Sequence, residues 1–408
     1  MRKKKIAIFT GNRAEYGLLY PVIKSISEHP KLEYKLLVSG AHLDPNFGET
    51  LKEISKDGFD IHDEIKINMT GKSKSSTPKA IGTGVTAISE ALESLNPDLL
   101  VVYADRFEGL AAVIAGTQMN IATAHIEGGD LTEGGALDDS VRHAMTKLAH
   151  IHFTTNDEAS LRILAMGEEP WRVHTVGFTA IDLIEAKNYA TPAEISELLK
   201  IDMKKPIVLF TQHSISQTPE LSGAEISQSL SALKKLAEDG IQIVITYPNN
   251  DIGSDHIIDS LNKLDSEHRE NITLHKSLGR YYYHGILALA LSSENQVACV
   301  GNSSSGIKET PAFRCPTVNI GSRQEGRLRG QNVIDAGYDS NDIYKATLKC
   351  LFDIQFKQDC SNGINPYWKG GAGNKIADVL ATLEINELLI RKKMTLKGKY
   401  LEGFRNGF

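Results

Sequence analysis

One pattern, used twice, constrains this chain more than anything else in it. Short runs rich in Val, Ile and Leu ("KIAIFT", "KLLVSG", "DLLVVYAD", "IATAHIEGG") alternate with longer segments of helical period such as "PKAIGTGVTAISEALESLN". Runs this short, spaced by helical segments, read as strands of βαβ units. Such units build an open parallel sheet covered by helices on both faces. After "HTVGFTAIDLIEA" the pattern lapses in a polar stretch, then restarts with "PIVLFTQH", "IQIVITYPNN", "QVACVGNSSSG" and "PTVNIG". The expected organisation is α/β throughout, with two doubly wound, Rossmann-like domains. The first spans 1–185, a connector 186–204, the second domain 205–372, and a last helix 373–395. At 408 residues the chain has the length for two such domains, each of roughly 200 residues and able to bury its own core.

Open α/β sheets bind ligands beyond the carboxyl ends of their strands, so the residues that end each run carry the function. In the first half these are Gly11-Asn12-Arg13, Ser39-Gly40-Ala41-His42, Asp105-Arg106 and Glu127-Gly128-Gly129. In the second they are Gln212-His213, Pro248-Asn249-Asn250-Asp251, Gly301 to Gly306, and Gly321-Ser322-Arg323. The first half offers acids and the second offers small polar donors and glycines. A cleft between two such sheets suits a nucleotide diphosphate on one side and a reacting group on the other.

"GNSSSGIKETPAF" follows a strand and is expected to open a helix, so its N–H groups and the Ser303 and Ser304 hydroxyls suit an anion. A Ser-rich helix cap without a ligand is the plain alternative. The spacing matches neither a Walker A loop nor GxGxxG. Glu309 faces the same end and suits ribose hydroxyls, while Arg13 and Arg323 are candidates for diphosphate forks or for surface salt bridges. His213 ends a strand on this edge, where a donor to phosphate is useful. The span 124–153 holds Glu127, Asp130, Glu133, Asp138 and Asp139 with four histidines. His143 and His150 are expected to share a helical face, and His152 to open a strand; no metal or other cofactor is expected.

A net charge of −6 argues against nucleic acid and membrane surfaces as partners. Four cysteines, all beyond residue 298 and none in a CxxC spacing, suit a reducing cytoplasm.

"GNRAEYGLLYPVI", "SGAHL", "ADRFEGLAAVIAG", "HIEGG", "LDDSVRHAMTKLAH", "YPNND", "GNSSSGIKE" and "NIGSRQEGR" resemble the hydrolysing UDP-N-acetylglucosamine 2-epimerases of sialic and legionaminic acid synthesis. The motifs run in family order over roughly residues 5–385. The resemblance implies a GT-B architecture with an inter-domain cleft, a last helix that crosses back to the first domain, and a homodimer or homotetramer. It also implies catalytic roles for Asp105, Glu127 and Asp138, with Asp139 as a supporting neighbour. On the nucleotide side it implies Arg13, His213, Asn249, Ser303, Ser304, Glu309 and Arg323, with the Leu278 backbone reading the base and His42 and Arg106 near the sugar and diphosphate. "YADR" and "GGDLTEGGALDD" resemble the legionaminic-type branch, in which the sugar can carry a second acetamido group and the nucleotide is uridine or guanosine.

The chemistry asks for those acids. Inverting C2 of a nucleotide-linked amino sugar removes a proton that no carbonyl acidifies, so oxocarbenium character at C1 has to develop first. Such a site needs negative charge near the ring, a base, an acid, and donors on the leaving diphosphate. A glycosyltransferase shares the donor site without needing three acids, a non-hydrolysing epimerase returns a nucleotide-linked product, and a sugar-nucleotide sensor turns nothing over.

Overall fold

The computed structural model describes residues 2–43, 50–67, 75–132, 137–215, 217–249, 253–267 and 270–395. They fall into two compact units, one of Met1–Leu131, Leu137–Asp182 and Tyr367–Phe408, the other of Thr132–Ala136 and Leu183–Pro366.

In the first unit the apolar runs form one sheet. Its strands are β1 (Lys4–Thr10), β2 (Leu32–Ser39), β3 (Ile61–Ile65), β4 (Leu99–Tyr103), β5 (Ala122–Ile126), β6 (Ile151–Thr154) and β7 (Val173–Thr175). They lie in the order β3-β2-β1-β4-β5-β6-β7 with every pair parallel. Alternate residues of β1 enter opposite cores: Ile6 and Ile8 pack in one, Ala7 and Phe9 in the other, as the two-residue side-chain period requires. Helix Arg13–Glu28 leads from β1 to β2, and Asn12 caps it by accepting the Glu15 N–H on Oδ1 at 3.0 Å.

The second unit repeats the plan with β8 (Ile207–Thr211), β9 (Gln242–Thr246), β10 (Ile272–His275), β11 (Val297–Gly301), β12 (Thr317–Ile320) and β13 (Val333–Ala336), in the order β10-β9-β8-β11-β12-β13. Counted within each unit, both orders contain 3-2-1-4-5-6, the Rossmann sequence, and the first sheet adds one strand. The order reverses between β1 and β4 and between β8 and β11, and ligands bind at such switch points. The connector stretch 186–204 contains helix Pro192–Leu199, opened by a capping box of Thr191 and Glu194.

The chain returns to the first unit at its end. Helix Ala372–Thr382 places Ile376, Ala377 and Leu380 in the core that holds Ile6, Ile8 and Leu19. No helix among the described residues is long and apolar enough to cross a membrane. All four cysteines are buried and free.

Candidate functional site

At the first unit's switch point the strands end in unusual backbone. Ala104, after β4, has φ 53°, and Glu127, after β5, has φ 65°. Non-glycine residues avoid this region unless their surroundings hold them there, and such strain gathers at functional sites. Here the holders are visible. The Ala104 N–H donates to the Ile126 carbonyl at 2.9 Å and the Glu127 N–H to the Phe153 carbonyl at 2.8 Å. The His125 Nε2–H donates to the Ala104 carbonyl at 2.6 Å, leaving Nδ1 to accept the Thr146 hydroxyl at 3.1 Å. Burial holds the His125 pKa down to about 3, so the ring is neutral.

These bonds aim Asp105 and Glu127 from adjacent strand ends. Asp105 pairs with the guanidinium of Arg142, whose Nη1 also lies 3.8 Å from Asp139. Arg142 and Asp139 are buried on helix Leu137–Leu148, one turn apart, while Asp138 on the same helix is exposed. Of the two neighbouring acids, then, Asp139 is buried beside the arginine and Asp138 lies at the surface. Glu127 is buried, and its charge, after burial, helps push the Tyr103 hydroxyl pKa well above its usual value. Asp130 is buried with Asn156 Nδ2 at 3.1 Å. Glu133 and the Arg13 side chain lie outside the described part of the structure.

His42 is buried after β2, its Nε2 3.1 Å from the Thr10 hydroxyl, and burial lowers its pKa to about 4. Arg106 is exposed and lies 3.6 Å from Glu108, a fully buried acid.

Of the remaining histidines, His150 departs from the expected helical face. Helix Leu137–Leu148 stops before His150, whose Nδ1 instead accepts the Thr123 N–H at 3.0 Å. His152, inside β6, meets Glu168 at 3.1 Å, beside Lys147 and Lys392. Among the described residues no three His, Cys, Asp or Glu side chains are grouped to hold a metal ion.

At the second unit's switch point, Gly301 ends β11 with φ 135°, and a Cβ there would stand 1.9 Å from the Thr211 carbonyl oxygen. Only glycine allows β11 to press so closely on the end of β8. The helix expected after it is a single turn, Ser305–Lys308, followed by a 3-10 turn at Thr310–Phe313. Pro311 explains why the helix is so short, since proline disfavours helix at the preceding residue and lacks an N–H. Ser303 and Ser304 are half-buried, and the Ser303 hydroxyl accepts the Ser305 N–H at 3.4 Å. Ser303 lines a crevice with Thr211, Tyr283, Gly301 and Asn319. Glu309 Oε2 accepts from His284 at 2.9 Å and from the Ser305 hydroxyl at 2.7 Å. Burial alone would raise its pKa, but these partners outweigh burial and lower it.

His213 and Asn249 meet directly, the Asn249 N–H donating to His213 Nδ1 at 2.9 Å. Arg323 donates to the Asn302 carbonyl at 3.2 Å, and its charge, after burial, lowers the His213 pKa. Leu278 precedes helix Gly279–Ala288 with its side chain in the core beside Ile286 and Leu287. Arg142 and Asn302 are supports that sequence reasoning did not assign; the one usable signal was the i,i+3 spacing of Asp139 and Arg142 in "DDSVRH".

A family model described as UDP-N-acetylglucosamine 2-epimerase matches residues 24–381. The "GDP/UDP-N,N'-diacetylbacillosamine 2-epimerase (hydrolyzing)" of Campylobacter jejuni is 35% identical over 359 residues, 88% of this chain and 90% of that protein. The "UDP-N,N'-diacetylbacillosamine 2-epimerase (hydrolyzing)" of Legionella pneumophila is 32% identical over 389 residues, 95% of this chain and 98% of its own. Among solved structures, the UDP-GlcNAc 2-epimerase from Neisseria meningitidis bound to UDP-GlcNAc shares the fold with a TM-score of 0.77 at 19% identity, over 92% of this chain and 99% of that one. Twin Rossmann-like sheets, acids at the first switch point and a family match across most of the length make one case: the chain belongs to the UDP-N-acetylglucosamine 2-epimerase family.

Proposed function

We propose that this protein is a hydrolysing 2-epimerase that converts a nucleotide-linked 2-acetamido sugar into a free mannose-configured sugar and a nucleoside diphosphate. The observation that carries the reading is the set of acids at the β4 and β5 ends and on helix Leu137–Leu148, with Arg142 between two of them. One carboxylate takes the proton from C2 as the C1–O bond breaks and the electron pair leaves with the diphosphate. The product of that step is a 2-acetamidoglucal. Water then adds across the double bond, its oxygen to C1 and a proton to C2 from the opposite face. Asp105, Glu127 and Asp138 supply base, acid and ring-facing charge; Arg106, His213, Ser303 and Arg323 meet the charge on the leaving group. Asn249, Ser304 and Glu309 hold the nucleoside, with the Leu278 backbone at the base.

The activities for which the Campylobacter and Legionella relatives are named favour a 2,4-diacetamido-trideoxy sugar, linked to UDP or GDP, over plain UDP-GlcNAc. A free product of this kind feeds nonulosonic acid synthesis. We place the enzyme in the cytoplasm as a homodimer or homotetramer. Four buried thiols, that of Cys299 pushed up to about 12 by burial, suit a reducing compartment.

Turnover in D2O and in water enriched in oxygen-18 tests the reaction. The expected product carries deuterium at C2 and the heavy oxygen at C1, and the released diphosphate carries none. A retained C2 hydrogen would point to simple hydrolysis, and a nucleotide-linked epimer to the non-hydrolysing reaction.

A further inference from the structure

The second unit contains a hydrogen-bond arrangement that decides how its histidine can act. His213 Nδ1 receives the Asn249 main-chain N–H at 2.9 Å, so that nitrogen is an acceptor and carries no proton. A neutral imidazole then has its proton on Nε2. An imidazolium would set Nδ1–H against the Asn249 N–H, donor against donor. The main chain of His213 is gripped as well. Asn302 Oδ1 accepts the His213 N–H at 2.7 Å, and Asn302 Nδ2 donates to the His213 carbonyl at 2.9 Å, closing a ring with both side-chain ends satisfied. The Asn302 carbonyl in turn gathers Arg323 at 3.2 Å and Gln324 at 2.8 Å. Asn302 is fully buried, and one residue holds the ends of β8 and β12 in register with β11.

We propose that His213 serves as a neutral donor of fixed tautomer, offering Nε2–H to a diphosphate oxygen and keeping its proton, and that Asn302 is the positioning residue that sets it. The proposal rests on reading the second unit as the nucleotide-holding half. Three loops face the ring: that after β9 brings the Asn249 N–H, that after β11 brings Asn302, and that after β12 brings the Arg323 charge. Burial first, and Arg323 second, push the His213 pKa well below its usual value, in agreement with a ring that stays neutral. The chemical consequence is that the diphosphate leaves unprotonated. Its charge is met by fixed N–H donors and by Arg323, which need no reorganisation as the bond breaks.

Nitrogen-15 spectra of histidine-labelled protein, recorded with and without UDP, test this directly. The His213 signals are expected to show an unprotonated Nδ1 and a protonated Nε2 from about pH 6 to 8. In UDP titrations His213→Ala weakens binding about tenfold, the scale of one hydrogen bond to a charged group. His213→Gln, whose amide nitrogen falls where Nε2 stood, recovers most of that loss, whereas His213→Asn does not. Asn302→Ala lets the ring sample both tautomers and weakens UDP binding by a similar factor. A proton on Nδ1, an imidazolium near neutrality, or equal losses in the Gln and Ala variants would overturn the donor role. An unchanged His213 spectrum in Asn302→Ala would remove Asn302 from it. The wild-type spectra decide the tautomer even where a variant fails to fold. A wild-type protein that binds neither UDP nor GDP contradicts the nucleotide reading instead.

Discussion

Two acids below the first switch point play no part in the proposed chemistry, yet they shape how the protein responds to pH. Glu15 and Glu108 are both buried, and no hydrogen-bond partner reaches Glu15 Oε1 or either Glu108 oxygen. Burial, and then the Glu108 charge, push the Glu15 pKa up from 4.5 to about 8. The folded state therefore holds this proton more tightly than the unfolded chain, and the stability it contributes is lost as pH rises from 4.5 towards 8. The buried histidines act in the opposite sense. Burial lowers His42, His150 and His152 from 6.5 to about 4, so their contribution grows as pH rises across that interval. Above 6.5 these three histidines no longer offset the raised acids Glu15 and Glu108. Between pH 6.5 and 8 the wild-type unfolding temperature is expected to fall by roughly 3–6 °C, from about 1–2 kcal/mol of linkage. Glu15→Gln should flatten that slope in thermal unfolding followed by circular dichroism, and an equal slope in both proteins would refute the assignment. None of this was legible in "NRAEYG" or "DRFEG", because burial of a single side chain depends on neighbours that another strand brings.

At the scale of elements, helix Leu137–Leu148 depends on a residue more than two hundred positions away in the chain. Its last carbonyls have no intrahelical partners. The Lys392 ammonium donates to the carbonyls of Lys147 at 2.8 Å and Ala149 at 2.6 Å, and pairs with Glu168 at 2.8 Å. A cation there also meets the negative end of the helix dipole. Lys392→Met is expected to destabilise the protein by about 2 kcal/mol or more, since it leaves a buried acid short of a partner. A shift below about 0.5 kcal/mol in urea unfolding would mean that water replaces the lysine. The strands divide by the same logic. β1, β4, β5, β8, β9 and β11 are wholly or largely buried, and their apolar runs announced them. β3, β7, β10 and β13 stand at the four sheet edges, partly exposed, and no apolar run marked them. An edge strand has water on one side and is under no pressure to be apolar.

For the whole molecule, the return of the chain to its first unit matters most. Tyr367 accepts the Phe178 N–H at 2.9 Å, and Asp182 accepts the N–H groups of Ala372 at 2.9 Å and Gly373 at 2.7 Å. A Cβ on Gly373 would stand 2.6 Å from the Pro21 carbonyl oxygen, so this helix and Arg13–Glu28 touch backbone to backbone. Tyr367, Ile376, Leu380 and Leu389 are all buried, and at about 1.5–3 kcal/mol for each large side chain their loss rivals the whole stability of a domain. A chain ended after Pro366 is therefore expected to lack cooperative unfolding of the first unit, read by limited proteolysis and near-ultraviolet circular dichroism. Native-like resistance in the truncated protein would show that the return is dispensable.

The sequence by itself determined the class of fold, the doubling of its plan and the strand ends that carry chemistry. These follow from periodicity and from local apolar density, which a chain displays before it folds. It also displayed Asp105, Glu127 and His213 as candidates, because each stands just past a strand. Tertiary structure alone decided which of Asp138 and Asp139 is covered, which nitrogen of His213 bears its proton, and that the helix opened by "GNSSSG" is a single turn. Those outcomes depend on contacts between segments far apart in the chain, and on the burial and field that such contacts create, which no local pattern encodes.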